Sequence, residues 1–248
     1  MKTLFAHRGM SSLAPENTLS AFALCAQYGV KWIECDLDIL ADDTVVVSHD
    51  DTLDRCTNRA GSLYDLTIDD LQDIDAGSWF SDNYIGERIP TLEEFIQLVN
   101  HHQYNVNIEI KSCLEGWVKT ERLLQRVATA IRTIDKNCEV LVSSFNHQLL
   151  REFKQLSPET PVACLFEQLS LQSDWLTSLQ ACLARAIHVE NTGLTKEQVL
   201  AFKQHGYEVN VYTVNNLARA NQLFNWGVDG IFTDIAQNFP SRYRNASK

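Results

Sequence analysis

The feature that most constrains the fold is an alternation along the whole chain, in which short apolar runs are separated by longer amphipathic stretches. The runs Leu4–Ala6, Trp32–Leu40, Val45–Ser48, Val106–Ile110, Val140–Ser144, Val162–Phe166, Ala186–Val189, Glu208–Val214 and Gly230–Thr233 are expected strands. Helical periodicity predicts helices over Asn17–Tyr28, Leu92–His101, Lys119–Ile134, Gln148–Leu156, Ser170–Leu179, Glu197–His205 and Leu217–Trp226. Hydroxyls at Thr91 and Thr195 suit helix starts, and Gly29, Gly206 and Gly227 follow helical runs where a left-handed residue ends a helix.

Strand–helix–strand repeats favour a parallel sheet covered by helices, and about eight such units in a chain this long fit an α/β TIM (β/α)8 barrel better than an open doubly wound sheet. The 248 residues are expected to form a single barrel domain. One segment, Asp51–Ile89, carries no clear strand–helix unit and reads as a small insertion after strand 2.

Charge narrows the function. Lys and Arg number 21 against 32 Asp and Glu, a net −11. So acidic a surface does not track a nucleic-acid backbone or an anionic membrane, so neither partner is expected, and an anionic substrate needs local cations or a metal. The seven cysteines show no CxxC and no paired spacing, which predicts buried reduced thiols. The opening MKTLFAHRGM is too short in apolar residues for a secretory signal, and no apolar run reaches the roughly 18 residues of a membrane span, so a cytoplasmic location is expected.

Four clusters carry the candidate chemistry, each at or just after the end of an expected strand, the end at which barrels assemble their sites. His7-Arg8-Gly9 offers a proton carrier, a two-point anion clamp and a sharp turn. In Glu34-Cys35-Asp36 the acids lie two apart on a strand, so both face one way and Cys35 the other. Two carboxylates about 5 Å apart repel by roughly 3 kcal/mol at an effective dielectric of 20, so such a pair shares a proton or binds a cation. Ser48-His49-Asp50 adds a second histidine; Asp50 is a weak candidate to orient it, because neighbours in sequence rarely face each other. Glu109-Ile110-Lys111 adds a third carboxylate, suited to a hard cation, and a Lys on the same face. Together they match metal-assisted phosphoryl chemistry, with a cation and Arg and Lys on the phosphate and one His on each proton. His147 and His188 either line the mouth or, as the more common case, pack or cap, and Trp79, Phe80 and Tyr84 either wall the site or form a satellite core.

With those motifs in view, the sequence resembles the glycerophosphodiester phosphodiesterases, most closely the bacterial cytosolic type, over essentially its whole length. The resemblance rests on His7-Arg8-Gly9, Pro15-Glu16-Asn17-Thr18, Glu34-Cys35-Asp36, His49-Asp50, Asp75-Ala76-Gly77-Ser78-Trp79, Glu109-Ile110-Lys111, Ser143-Ser144-Phe145, Tyr212-Thr213-Val214-Asn215 and Gly227-Val228-Asp229-Gly230. It implies a divalent cation, Mg²⁺ or Ca²⁺ or else Mn²⁺, on Glu34, Asp36 and Glu109. It implies His7 and His49 as general acid and base, Arg8 and Lys111 as a phosphate clamp, and Asn17 as a buttress or ligand contact. Tyr212 stands where many members carry Trp and keeps an aromatic wall. The implied reaction is hydrolysis of a small glycerophosphodiester to sn-glycerol 3-phosphate and an alcohol. The sequence reading places His49 as base and His7 as acid, and leaves the oligomeric state open. The rival on the same barrel is a lysophospholipase D-like or other phosphodiesterase, for which the chain shows no basic face and no amphipathic apolar helix.

Overall fold

The computed structural model describes residues 2–171 and 174–244. In chain order the elements are β1 (Thr3–Ala6), α1 (Leu19–Gln27), β2 (Trp32–Ile39), β3 (Val45–Val47), α2 (Leu92–His102), β4 (Asn105–Ile110), α3 (Trp117–Ala130), β5 (Val140–Ser144), α4 (His147–Leu156), β6 (Val162–Phe166), α5 (Trp175–Ala181), β7 (Ala186–Glu190), α6 (Lys196–Gln204), β8 (Glu208–Tyr212), α7 (Leu217–Trp226), β9 (Gly230–Thr233) and α8 (Ser241–Arg244). Residues 172 and 173 of the helix expected over Ser170–Leu179 lie outside the described residues.

All strands but β3 pair in parallel, in the order β1-β9-β8-β7-β6-β5-β4-β2, and β1 also pairs β2, which closes the barrel. The expected (β/α)8 barrel is therefore the observed one. The difference lies at Val45–Ser48. This strand is no stave: β3 runs antiparallel to β2, with Leu37 opposite Val47 and Ile39 opposite Val45. β2 overruns the barrel rim, and the chain folds back along it until Ser48 N donates to Asp36 O at 3.0 Å. His49 thus reaches the mouth from a returning strand, not from the upper end of a barrel strand.

The alternation of side chains along a strand separates two cores. Outward-facing residues such as Ile33, Cys35, Val106 and Ile187 pack under the helices. Inside, Phe5, Trp32, Leu141, Ala163, Ala186 and Phe232 plug the lower end, Phe5 stacking on Phe232 at 4.4 Å between centroids. The upper interior is left to polar residues. After His49 the chain forms short 3₁₀ turns over Leu63–Asp65, Ile68–Asp73 and Asp82–Tyr84, held by a small core that includes Leu53, Leu63, Leu66, Leu71 and Ile74.

Local chemistry accounts for the helix ends. Thr91 and Glu94 form a capping box, as do Thr195 and Gln198. Gly227 closes α7 at φ 107°, a conformation that favours glycine. The cysteines are free, and all but Cys56 are buried. Among the described residues no helix is long and apolar enough to cross a membrane.

Candidate active site

Strand register assembles the carboxylates. Glu34 and Asp36 share one face of β2, and Asp36 stands directly opposite Glu109 on β4. One oxygen from each of the three lies within 4.8 Å of the others. Neighbouring strands are about 4.8 Å apart, so this spacing follows from pairing alone. Asp38, next on that face, stays out of the cluster, because its carboxylate accepts from Tyr64 Oη and Ile39 N, both at 2.8 Å.

The cluster is held from several sides. Arg8 N donates to Glu34 at 2.9 Å, and Arg8 Nε lies 3.3 Å from Asp36. Lys111 Nζ lies 2.8 Å from Glu109 and 3.4 Å from Asp36. Asn17 Nδ2 donates to Asp36 at 2.9 Å, which makes Asn17 a buttress. Both Arg8 and Asn17 adopt left-handed backbone conformations, at φ 57° and 58°, and such strain persists only where surrounding contacts impose it. Gly9 follows at φ 82°, and a Cβ there would meet the Ala21 carbonyl carbon at 2.8 Å.

Burial and the charge of Asp36 push the pKa of Glu34 well up, and Glu109 rises for the same two reasons. Asp36 goes the other way: burial is outweighed by Lys111, Arg8 and His49, and it stays ionised. The three acids thus cannot all ionise comfortably by themselves. A divalent cation removes that conflict, and three carboxylates are the hard oxygen donors that such an ion takes.

Two histidines flank the cluster. His7 Nδ1 is 2.7 Å from Asp234 Oδ1, and Asp234 is itself held by Asn215 Nδ2 at 2.6 Å. His49 Nδ1 is 2.5 Å from Asp50 Oδ1. Each imidazole therefore has Nδ1 fixed by a carboxylate, which leaves Nε2 for proton transfer. Burial opposes protonation of His7, but the Asp234 hydrogen bond and the charge of Glu34 outweigh it and raise its pKa. Burial lowers the pKa of His49, with Arg8 and Lys111 adding to the effect against Asp36 and Asp50.

Two cavities meet at this point. An inner one of about 240 Å³ is lined by His7, Arg8, Glu34, Asn107, Ser143, Leu165, His188, Tyr212, Thr213 and Phe232. An outer one of about 360 Å³ is lined by Asp38, Asp50, Asp51, Tyr64, Lys111, Leu114 and Ser144. His49, Glu109 and Phe145 line both. Tyr212 walls the inner cavity with its ring, 5.9 Å from Phe145, while its hydroxyl donates to Phe166 O at 2.9 Å.

All nine sequence-predicted residues thus gather at one mouth, and several partners were not foreseen. Asp234 was missed, although it follows a strand end as the other clusters do. Asp50 does orient His49, contrary to the expectation from its adjacency. Arg55, in the segment after His49, donates to both oxygens of Asp50 at 2.7 and 3.0 Å and to both oxygens of Glu16 at 2.8 Å. Glu16 in turn accepts from Arg8 at 2.7 Å. His188, weighed from sequence as a packing or mouth-lining residue, lines the inner cavity, and so does Asn107, a polar residue in an apolar strand that was not singled out. Trp79, Phe80 and Tyr84 pack edge to face on one another and line neither cavity.

Known proteins are similar to this chain in sequence and fold. The model of the glycerophosphoryl diester phosphodiesterase family matches residues 7–237. A glycerophosphodiester phosphodiesterase of Caldanaerobacter subterraneus subsp. tengcongensis is 37% identical over 94% of this chain and 95% of its own. One from Bacillus altitudinis is 34% identical over 98% and 96%. An Oleispira antarctica phosphodiesterase, solved in complex with the product sn-glycerol 3-phosphate, superposes with a TM-score of 0.90 at 32% identity, over 96% of this chain and 94% of that one. The chain belongs to the glycerophosphoryl diester phosphodiesterase family of enzymes.

Proposed function

We propose that this enzyme hydrolyses small glycerophosphodiesters to sn-glycerol 3-phosphate and an alcohol, with a divalent cation on Glu34, Asp36 and Glu109 and with His7 and His49 moving the protons. The observation that carries this reading is the pair of imidazoles, each tethered at Nδ1 by a carboxylate, on either side of a three-carboxylate cluster in one cleft. The oxygen donor set suits Mg²⁺ or Ca²⁺, and Mn²⁺ belongs to the same ligand class. When bound, the cation supplies positive charge to the non-bridging phosphate oxygens. Arg8 on the inner side and Lys111 on the outer side add charge to the same region.

The cavities favour one order of proton transfer. His7 lines the inner cavity, whereas His49 stands where the inner and outer cavities join. A diester with its glycerol arm inside and its head group outside presents the leaving oxygen to His49. His7 Nε2 then takes the proton of the attacking oxygen as that oxygen bonds to phosphorus; water gives glycerol 3-phosphate directly, whereas the glycerol 2-hydroxyl gives a cyclic phosphate that a water then opens. The bond from phosphorus to the head-group oxygen breaks, and His49 protonates that oxygen. This proposed order is the opposite of the one expected from sequence, and its support is that His49 lines the outer cavity while His7 does not. The raised pKa of His7 and the lowered pKa of His49 hold the resting proton on His7, so this order works from the minority form in which His49 carries it.

The acidic chain, with its free buried thiols, fits a cytoplasmic enzyme acting on small diesters. The test is a product assay. Glycerol 3-phosphate should appear from glycerophosphocholine or glycerophosphoethanolamine, stop on chelation and return with added Mg²⁺, Mn²⁺ or Ca²⁺. Release of a phosphorylated head group, with free glycerol, would refute the assigned bond cleavage.

A further inference from the structure

The reaction described above leaves two polar side chains of the inner cavity without a task. His188 on β7 and Asn107 on β4 are 0% and 1% exposed. Asn210 Nδ2 donates to His188 Nε2 at 3.0 Å, so the single proton of the neutral ring sits on Nδ1, and that Nδ1 has no partner. Burial holds the ring neutral, with its pKa pushed down to about 3. Asn107 Nδ2 donates to Ser143 Oγ at 2.9 Å, and its Oδ1, like His188 Nδ1, has no partner among the described residues. The ring of His188 rests on the apolar plug, 5.0 Å from Phe232 and 6.5 Å from Phe5 between centroids, and that plug offers no polar partner.

A buried donor and a buried acceptor, both unpaired and both lining one cavity, are costly unless something in that cavity satisfies them. A hydroxyl group offers a donor and an acceptor in one atom. The outer cavity shows no such gap among its main polar residues. There Asp38 and Tyr64 bind each other, Asp50 is taken by His49 and Arg55, and Lys111 by Glu109.

Building on the function proposed above, we propose that His188 and Asn107 read the glycerol hydroxyls of the substrate, His188 Nδ1–H donating and Asn107 Oδ1 accepting, and so select the arm of the diester that enters the barrel. Asn210 serves as a positioning residue by fixing the His188 tautomer. The class selected is a phosphodiester of a vicinal diol, and one whose inner arm lacks hydroxyls leaves both groups unpaired.

The experiment compares wild type with His188→Phe and Asn107→Ala on glycerophosphocholine and on bis(4-nitrophenyl) phosphate, with glycerol 3-phosphate as inhibitor. The expected result is a loss on glycerophosphocholine exceeding that on the hydroxyl-free diester by about tenfold or more, carried by KM, with product inhibition weakened by a similar factor. Equal losses on the two diesters, or an unchanged inhibition constant, would mean that a trapped water satisfies both groups and would overturn the proposal. A substrate-side arm needs no variant: wild type should hydrolyse the phosphocholine diester of 1-propanol at least about tenfold less efficiently than glycerophosphocholine. Equal efficiency sinks the inference while leaving the proposed activity intact. Failure to release glycerol 3-phosphate from any glycerophosphodiester sinks the activity itself.

Discussion

His7 Nδ1 lies 2.7 Å from Asp234 Oδ1, joining the end of the first barrel strand to the end of the last. Barrel closure makes this contact, since β1 pairs with β9 in register and Ala6 stands opposite Thr233. The carboxylate fixes the histidine tautomer and, in the proposed reaction, would steady the imidazolium. Asp234→Asn keeps the shape and removes the charge. We expect kcat to fall on the order of 10²–10⁴-fold with little change in KM or melting temperature. Near-normal kcat in this variant would show that Asp234 is not the orienting carboxylate.

The same pair sets the pH profile. The proposed mechanism uses one proton shared between the imidazoles of His7 and His49, so kcat/KM should follow a bell. Its acid limb should lie below the ordinary histidine value, because burial lowers His49, and its alkaline limb above it, because Asp234 and Glu34 outweigh burial and raise His7. Removing the Asp234 charge withdraws a raising influence, so the alkaline limb in Asp234→Asn should move to lower pH. A limb that stays in place or moves upward contradicts the assignment.

Arg55 holds two carboxylates at once, with Asp50 behind His49 and Glu16 behind Arg8. Its side chain is 46% exposed, so stability should change little on substitution. Arg55→Ala should instead lower kcat by about 10–100-fold by loosening His49, comparable to losing an outer partner of a metal ligand. Lysine cannot reproduce the fork of hydrogen bonds and should restore only part of the rate. Added methylguanidinium should recover activity in Arg55→Ala, and its failure to do so, alongside a large drop in melting temperature, would indicate a structural role.

Cation binding should release protons. Glu34 and Glu109 have raised pKa values without an ion, and a bound cation requires their ionised forms. Affinity for Mg²⁺ or Ca²⁺ should therefore climb as pH rises toward those raised values and then level off. Calorimetric titration in two buffers of different ionisation enthalpy measures the protons displaced. Glu109→Gln should weaken binding and reduce that number, and a buffer-independent heat in wild type would contradict the scheme.

Thr91 and Glu94, which form the capping box of α2, line neither cavity. Thr91 Oγ1 accepts from Glu94 N at 3.2 Å while Thr91 N donates to Glu94 Oε2 at 2.9 Å. Thr91→Ala should cost about 1 kcal/mol of stability, read by urea denaturation, with kcat/KM unaltered.

Periodicity and local rules made the barrel legible, because a strand buried on both faces reads as an apolar run and a covering helix as an amphipathic one. They also delivered Glu34, Asp36, Glu109, His7 and His49, since acids and imidazoles interrupting such runs are costly without a task. What the chain order could not carry was everything that depends on which elements become neighbours. Val45–Val47 has the composition of a stave yet folds back on β2, because pairing direction is not written in composition. Asp234 meets His7 across 227 positions only because the sheet closes. Asp50 and Arg55 reach their partners through a turn and an irregular segment, where no repeat fixes side-chain direction. Which imidazole faces the outer cavity, and that His188 and Asn107 line the inner one, are properties of a shared enclosed space, and such a space exists only once distant strands pack around it.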